Sequence, residues 1–212
     1  MPADRIVCIV EDRPELREAM QMMVQFTDGY ILGGSFANAE EALVEIPLIK
    51  PDAVLMDINL PGSSGIECVA TLKVRHPQIL FLMCTSHEDN NKIFDSLKAG
   101  ASGYILKNEG PARIMNALDE LFNGGSPMSP TIARKVVESF KKIDTENALL
   151  HKLTAREKEV LDHLAKGLIN KELASALRLS VATVRTHVQN IYEKLQVNTR
   201  IEAVNMYLKR QQ

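Results

Sequence analysis

Five short apolar runs, each followed by an amphipathic segment, constrain the first 125 residues more than any other feature. The runs fall at Ile6 to Val10, Tyr30 to Leu32, Ala53 to Met56, Ile79 to Met83 and Gly103 to Leu106. Helical periodicity follows at Pro14 to Phe26, Ala39 to Ile46, Ser64 to Arg75, Asn90 to Ala99 and Pro111 to Phe122. Near-continuous apolar strands alternating with helices predict an α/β domain, a parallel sheet covered on both faces. Pro14 stands at a helix start and Gly100 just past Lys98-Ala99, which is the expected punctuation.

The polar residues that end the runs then acquire meaning. Strand 1 runs into Glu11-Asp12, strand 3 into Asp57, strand 4 into Thr85-Ser86 and strand 5 into Lys107. In a doubly wound sheet, ligands bind at the carboxyl edge where strands 1 and 3 part, so these side chains should share one crevice. The stretch VLMDINLPGSSG shows the pattern most clearly, with an apolar strand, the acid Asp57 and a Pro61-Gly62 turn. Taken alone, Asp57 reads equally well as a solvated loop acid. Three crowded carboxylates raise each other's pKa unless a cation sits among them. Oxygen ligands with no His or Cys in competition favour Mg2+. With a hydroxyl and an ammonium beside them, the set suits phosphoryl transfer to a carboxylate.

At 212 residues the chain has room for one large domain or two small ones. Its 45% hydrophobic and 25% charged content is that of a globular protein. No apolar run approaches the roughly 20 residues of a membrane span, and the opening MPADRIVCIVED does not read as a signal peptide. Cys8, Cys68 and Cys84 are scattered without C-x-x-C spacing, which predicts reduced buried thiols and a cytoplasmic setting with no membrane partner. Charge is distributed unevenly. Residues 1–125 carry 10 Lys and Arg against 18 Asp and Glu, whereas residues 150–212 carry 11 against 6. An acidic front joined to a basic end suggests a polyanionic partner for the second part, though a chance split between two domains gives the same numbers.

Three segments are therefore expected: a domain over 1–123, a linker over 124–149 and a second domain over 150–212. Gly-Gly-Ser-Pro and Ser129-Pro130 open the linker. A helix follows over Thr131 to Lys142, with Ile132, Val136 and Phe140 on one side, and Asp144 to Asn147 reads as a polar hinge. From Leu153 the pattern is all helical. Thr154 and Glu157 form a capping box, Gly167 stops the first helix, Asn170 is positioned to cap the second through Leu177, and Ser180 caps a third to Leu195. Val181, Val184, Val188, Ile191 and Leu195 form a buried stripe. The opposite face carries Ala182, Arg185, Thr186, Gln189, Asn190 and Glu193. Two short helices about a tight turn suit the major groove of double-stranded DNA, with Lys171, Lys194 and Arg200 available for phosphates. A small protein-binding helical module would also explain this face.

IVED, VLMDINLPG, CTS and GYILK together resemble the signatures of a two-component response-regulator receiver domain, whose fold is flavodoxin-like with strand order 2-1-3-4-5. The resemblance implies that Asp57 accepts a phosphoryl group from a histidine kinase. It also implies that Asp12, Asp57 and the backbone carbonyl of Asn59 ligate Mg2+, with Glu11 assisting. Thr85 and Lys107 would hold phosphoryl oxygens, and Tyr104 would be the switch aromatic. Asn59 and His87 fall where side chains tune phosphoryl lifetime. Asn108 departs from the proline that often follows the lysine, so the 108–110 loop is expected to differ.

The stretch from Leu153 to Val204 resembles a LuxR-type helix-turn-helix, and the whole chain is similar to NarL/FixJ-type regulators. The resemblance places Arg185, Thr186 and Gln189 at base-contacting positions, and Thr183, His187 and Lys171 at backbone-contacting ones. It implies a transcription factor without enzymatic turnover, dimeric when active, with RNA polymerase as a further partner. Val204, Tyr207 and Leu208 could join two readers or complete the domain core. Two other readings stand beside it. One is a phosphorelay module whose second domain binds protein, or binds DNA regardless of phosphorylation. The other is a haloacid-dehalogenase-type phosphatase, which needs D-x-D where this chain has Asp57 and Asn59.

Overall fold

The computed structural model describes residues 4–86 and 89–208, with the backbone alone for 142–144. The chain divides into two compact units, Met1–Ser139 and Phe140–Gln212. The first contains a five-stranded parallel sheet in the order β2-β1-β3-β4-β5. Its strands are β1 (Arg5–Val10), β2 (Tyr30–Phe36), β3 (Ala53–Met56), β4 (Leu80–Thr85) and β5 (Gly103–Leu106). Helices α1 (Pro14–Gln25), α2 (Ala39–Ile49), α3 (Gly65–Arg75), α4 (Asn90–Lys98) and α5 (Pro111–Phe122) alternate with them.

Period-two alternation sorts each strand between two cores. Cys8, Val10, Val54, Met56, Phe81, Met83 and Tyr104 face α2, α3 and α4. Val7, Ile9, Leu55, Leu82, Cys84 and Ile105 face α1 and α5. Burial on both sides explains why the strands read as unbroken apolar runs.

β2 is longer than the expected Tyr30 to Leu32. Its pairing with β1 shifts register between Val7 and Cys8, so that Leu32 pairs with Val7 and Gly34 with Cys8. A Cβ on Gly33 would stand 2.7 Å from Ile6 Cγ2. The two glycines mark a bulge inside the strand and not its end. Helix α2 likewise runs past Ile46 to Ile49 with Pro47 inside its last turn.

The segment expected to be a linker behaves differently. Tyr104 N–H donates to Pro127 O at 2.9 Å, and Met128 forms an isolated parallel bridge with Tyr104. Ser126 Oγ donates to Ser102 O at 2.8 Å. Residues 126–128 thus lie along the outer edge of β5. Helix α6 (Pro130–His151) follows, with Ser129 Oγ accepting from Ile132 N and Pro130 in the first turn. Ile132 is fully buried in the α4-side core, with Val136 packed against it. The polar hinge at Asp144 to Asn147 is a correction, because α6 continues through it. This stretch contains no Gly or Pro, and the Thr145 hydroxyl bonds back to Lys141 O at 2.9 Å within the helix. The boundary also moves. Residues up to Ser139 belong to the first unit, and Leu149 and Leu150 lie in the core of the second. Ile132→Ala is expected to cost the first unit about 2–4 kcal/mol by leaving a cavity, read as an earlier urea transition of the full chain.

The second unit is helical: the end of α6, then α7 (Ala155–Ala165), α8 (Asn170–Leu177), α9 (Val181–Leu195) and α10 (Arg200–Leu208). Thr154 and Glu157 form the expected capping box. Gly167 has φ +93°, as a helix stop requires. Asn170 is inside α8 and not its cap. Ile169 precedes the helix, and its N–H is taken by Glu172 Oε2 at 2.9 Å. Val184, Ile191 and Leu195 are buried, with Val181 and Val188 packed beside them.

Candidate functional site

Hydrogen bonds between strand ends bring the acids together. Asp57 N–H donates to Val10 O at 2.9 Å, just beyond the β1–β3 ladder, and Glu11 N–H donates to Phe36 O at 3.0 Å. Glu11 and Asp57 are thereby held side by side, 1% and 5% exposed. Arg17 donates to the backbone oxygens of Glu11 (2.6 Å) and Asp12 (3.2 Å), fixing the turn that carries them. One oxygen each from Glu11, Asp12 and Asp57 lies within 4.8 Å of the others.

The Lys107 ammonium enters this group from the end of β5, 2.8 Å from Asp57 Oδ2 and in contact with Glu11 Oε2. Asp57 Oδ1 accepts from Ile58 N at 2.7 Å. Lys107 contacts two of the three carboxylates, those of Glu11 and Asp57. Burial pushes the Glu11 carboxyl up, Lys107 opposes that shift and the Asp57 charge adds to it. Lys107 takes Glu11 Oε2, and among the described residues the buried Oε1 has no hydrogen-bond partner. Hard oxygen donors left short of partners and of positive charge fit a small divalent cation.

The backbone is built closely around the acceptor. Gly65 N–H donates to Ile58 O at 3.0 Å, and a Cβ at Gly65 would lie 1.8 Å from the Asp57 carbonyl oxygen. Only glycine permits that approach. Thr85 is fully buried at the end of β4 and Tyr104 is fully buried on β5. Lys107 to Glu109 form a single 3-10 turn leading to Gly110 at φ +90°, the shape adopted where Asn108 replaces proline. His87 lies outside the described residues.

Lys92, in the first turn of α4, donates to Asn59 Oδ1 at 2.6 Å. In the sequence, nothing marks this pairing beyond an out-of-place cation at a helix start. All three cysteines are free and buried, and burial pushes the Cys8 and Cys68 thiols up to about 12 and Cys84 higher still.

In the second unit α8 and α9 meet at Arg178, which has φ +54°. Ser180 Oγ accepts from Thr183 N at 3.0 Å, so Thr183 is part of the cap at the start of α9. Arg185, Thr186 and Gln189 are exposed along α9, His187 is half-buried and Lys171 is exposed on α8. Among the described residues, no side chain bonds Arg185 or Gln189. Both line an open groove with Asn170, Tyr192 and Glu193.

The two other expected phosphate ligands are engaged inside the domain. Lys194 Nζ bonds both oxygens of Glu157, 37 residues away, at 2.8 and 2.7 Å. Arg200 donates to Leu164 O at 2.8 Å. Val204 and Tyr207 pack against the core, while Leu208 is 40% exposed.

Burial alone would push Glu157 up, but Lys194 and the Thr154 N–H outweigh it and hold the carboxyl below its ordinary range. Glu157→Ala is expected to destabilise this unit by about 2–3 kcal/mol, since it strands the Lys194 ammonium and uncaps α7. With the folded-state pKa lowered, the wild-type advantage is fully present above the ordinary value of 4.5. It fades as pH falls through the lower folded value. Urea melts of both proteins at pH 7 and below pH 4 check the size and the sign.

Residues 7–119 match the family described as response regulator receiver domain, and residues 151–207 match bacterial regulatory proteins of the luxR family. The chain is 34% identical over 206 residues to the transcriptional regulatory protein LnrK of Bacillus subtilis, covering 93% of each chain. It is 34% identical over 198 residues to the response regulator protein VraR of Staphylococcus aureus, again covering 93% of each. A crystal structure of a LuxR-family two-component response regulator from Aurantimonas aligns over 65% of this chain and 98% of that one, with TM-score 0.61 and 31% identity. The RcsB response regulator of Salmonella typhimurium shares the fold over 97% of this chain and 98% of its own, with TM-score 0.63 and 21% identity. Strand order, acid cluster, helix-turn-helix and relatives agree, and the chain belongs to the response regulators that join a receiver domain to a LuxR-type DNA-binding domain.

Proposed function

We propose that Asp57 accepts a phosphoryl group from a histidine kinase and that this modification controls sequence-specific binding of double-stranded DNA through Arg185, Thr186 and Gln189. The observation that carries the reading is the buried Asp57 carboxylate held between Lys107 and the Glu11–Asp12 pair. A carboxylate oxygen of Asp57 attacks phosphorus as the bond from phosphorus to the kinase imidazole nitrogen breaks. Glu11, Asp12 and Asp57, with the Asn59 backbone carbonyl, would hold Mg2+, which supplies neutralisation of the phosphoryl charge when bound. Lys107 already touches Asp57 and moves onto a phosphoryl oxygen, and the Thr85 hydroxyl follows it. Tyr104, buried beside them on β5, takes up the shift. The protein is a stoichiometric acceptor without turnover, and the active species is a dimer on two half-sites about 10 bp apart.

Retardation of a duplex carrying the operator is the test, with and without a small acyl phosphate, over a series of salt concentrations. Phosphorylation is expected to raise affinity at least about tenfold, a shift of roughly 1.4 kcal/mol. Arg185→Ala should weaken specific binding by about 1–3 kcal/mol. Affinity indifferent to phosphorylation would favour constitutive binding, and no salt-dependent shift would favour a protein partner. A fragment over 140–212, which keeps Leu149 and Leu150 in its core, separates two forms of control. If it binds as well as the phosphorylated chain, the receiver inhibits; if far more weakly, the receiver acts by driving dimers.

A further inference from the structure

Lys92 and Asn59 lie in segments that follow two different strands at the same sheet edge. Asn59 follows β3 and stands two residues beyond Asp57, whereas Lys92 lies in the first turn of the helix that follows β4, beyond Thr85. Their 2.6 Å hydrogen bond therefore spans the gap between the two strand ends that carry the acceptor and its buried hydroxyl. Lys92 is poorly placed for helix stability, because the first turn favours acids and α4 has none there. Its ammonium is directed instead at a neutral amide on the mouth of an acidic pocket.

The chemistry of the pair fixes which way the amide works. An ammonium has donors only, so it must hold Asn59 by the carboxamide oxygen. That leaves the two N–H donors of Asn59, which have no protein partner among the described residues, for a phosphoryl oxygen. Asp57 is 5% exposed, whereas Asn59, two residues further along, is exposed to solvent. Phosphorylation brings about two negative charges into a pocket where Lys107 already serves Glu11 and Asp57.

We propose that Lys92 is a positioning residue for the phosphorylated state: it orients the Asn59 carboxamide so that its N–H groups bind the phosphoryl group and obstruct hydrolysis. The inference rests on Asp57 being the phosphoacceptor. In hydrolysis a water oxygen bonds to phosphorus in line with the Asp57 oxygen, the bond to Asp57 breaks and the carboxylate is regenerated as phosphate leaves. An amide held over the phosphoryl group occupies that line of approach. With Lys92 removed, the amide turns freely and water enters.

The full chain, labelled with radioactive acetyl phosphate and Mg2+ and then freed of donor, gives the half-life of the phosphoprotein. Lys92→Ala and Asn59→Ala are each expected to shorten it about fivefold. The double variant should be no faster than about twofold beyond either one, since both remove the same element. Lys92→Arg should restore most of the half-life, and the melting temperature of the unlabelled proteins should not track the effect. A Lys92→Ala half-life equal to or longer than that of the parent overturns the proposal, as do effects that multiply in the double variant. Labelling on Asp57 with unchanged lifetimes overturns this inference alone. No labelling of the parent, or undiminished labelling of Asp57→Asn, overturns the phosphoacceptor reading and this inference with it.

Discussion

Asp57→Asn is expected to abolish labelling by acetyl phosphate, with a loss of at least about 100-fold in initial rate. The amide keeps the shape of the carboxylate but is a poor nucleophile, and the pocket loses one of its three acids. The fold should not suffer. Glu11 and Asp12 are relieved of a like charge, and Lys107 retains Glu11 as a partner. The urea midpoint should therefore stay close to that of the parent or rise. Mass spectrometry of the intact protein after treatment reads the labelling, and a urea melt followed by circular dichroism reads the midpoint. Stoichiometric phosphorylation of Asp57→Asn would place the acceptor elsewhere and remove the basis for the proposed switch.

Of the glycine-to-alanine changes in this chain, Gly65→Ala should cost the most stability. A Cβ there would meet the Asp57 carbonyl oxygen at 1.8 Å, a backbone atom that cannot swing aside. Either α3 retreats, losing the Gly65 N–H bond to Ile58 O, or the Asp57 peptide shifts and carries the acceptor with it. The expected cost is about 3 kcal/mol or more, together with slower labelling of whatever remains folded. Gly124→Ala is the comparison. Its φ is +81° but its Cβ would meet nothing within 4 Å, so only backbone strain of about 1 kcal/mol applies. Equal urea midpoints for the two variants would show that α3 is not held against Asp57 as described.

The parts of this architecture that were legible in the sequence are those written in local periodicity. β3 and β5 have the predicted bounds, and the acids at the strand ends converge because β1 and β3 are neighbours, in the order that the receiver resemblance implies. The α8-turn-α9 pair is equally local, with Ser180 capping α9 at the expected place. What escaped is set by contacts between distant positions. Gly33 and Gly34 look like the end of a strand until the Ile6 side chain, on the neighbouring strand, shows why they lack a Cβ. Lys194 reads as a phosphate ligand on the polar face of α9, and its commitment to Glu157 depends on how α7 and α9 pack. Asn59 and Lys92 are 33 residues apart and meet only because β3 and β4 are neighbours. The Asp144 to Asn147 segment differs for another reason: its polar composition suggests flexibility, although its residues tolerate a helix.

The seal along β5 has a consequence for assembly. In a sheet ordered β2-β1-β3-β4-β5, the outer strands are β2 and β5, and unpaired rows of N–H and C=O on such strands invite a second sheet to join. On the β5 side the row is closed by Pro127 and Met128 from the same chain, and proline has no N–H to offer a newcomer. Fusing two receivers through β5 into one continuous ten-stranded sheet would first require this segment to be displaced from Tyr104. Helix faces and the outer row of β2 are the surfaces left open for pairing receivers, and a chain cut at residue 123 would lose the segment that covers β5 at Tyr104.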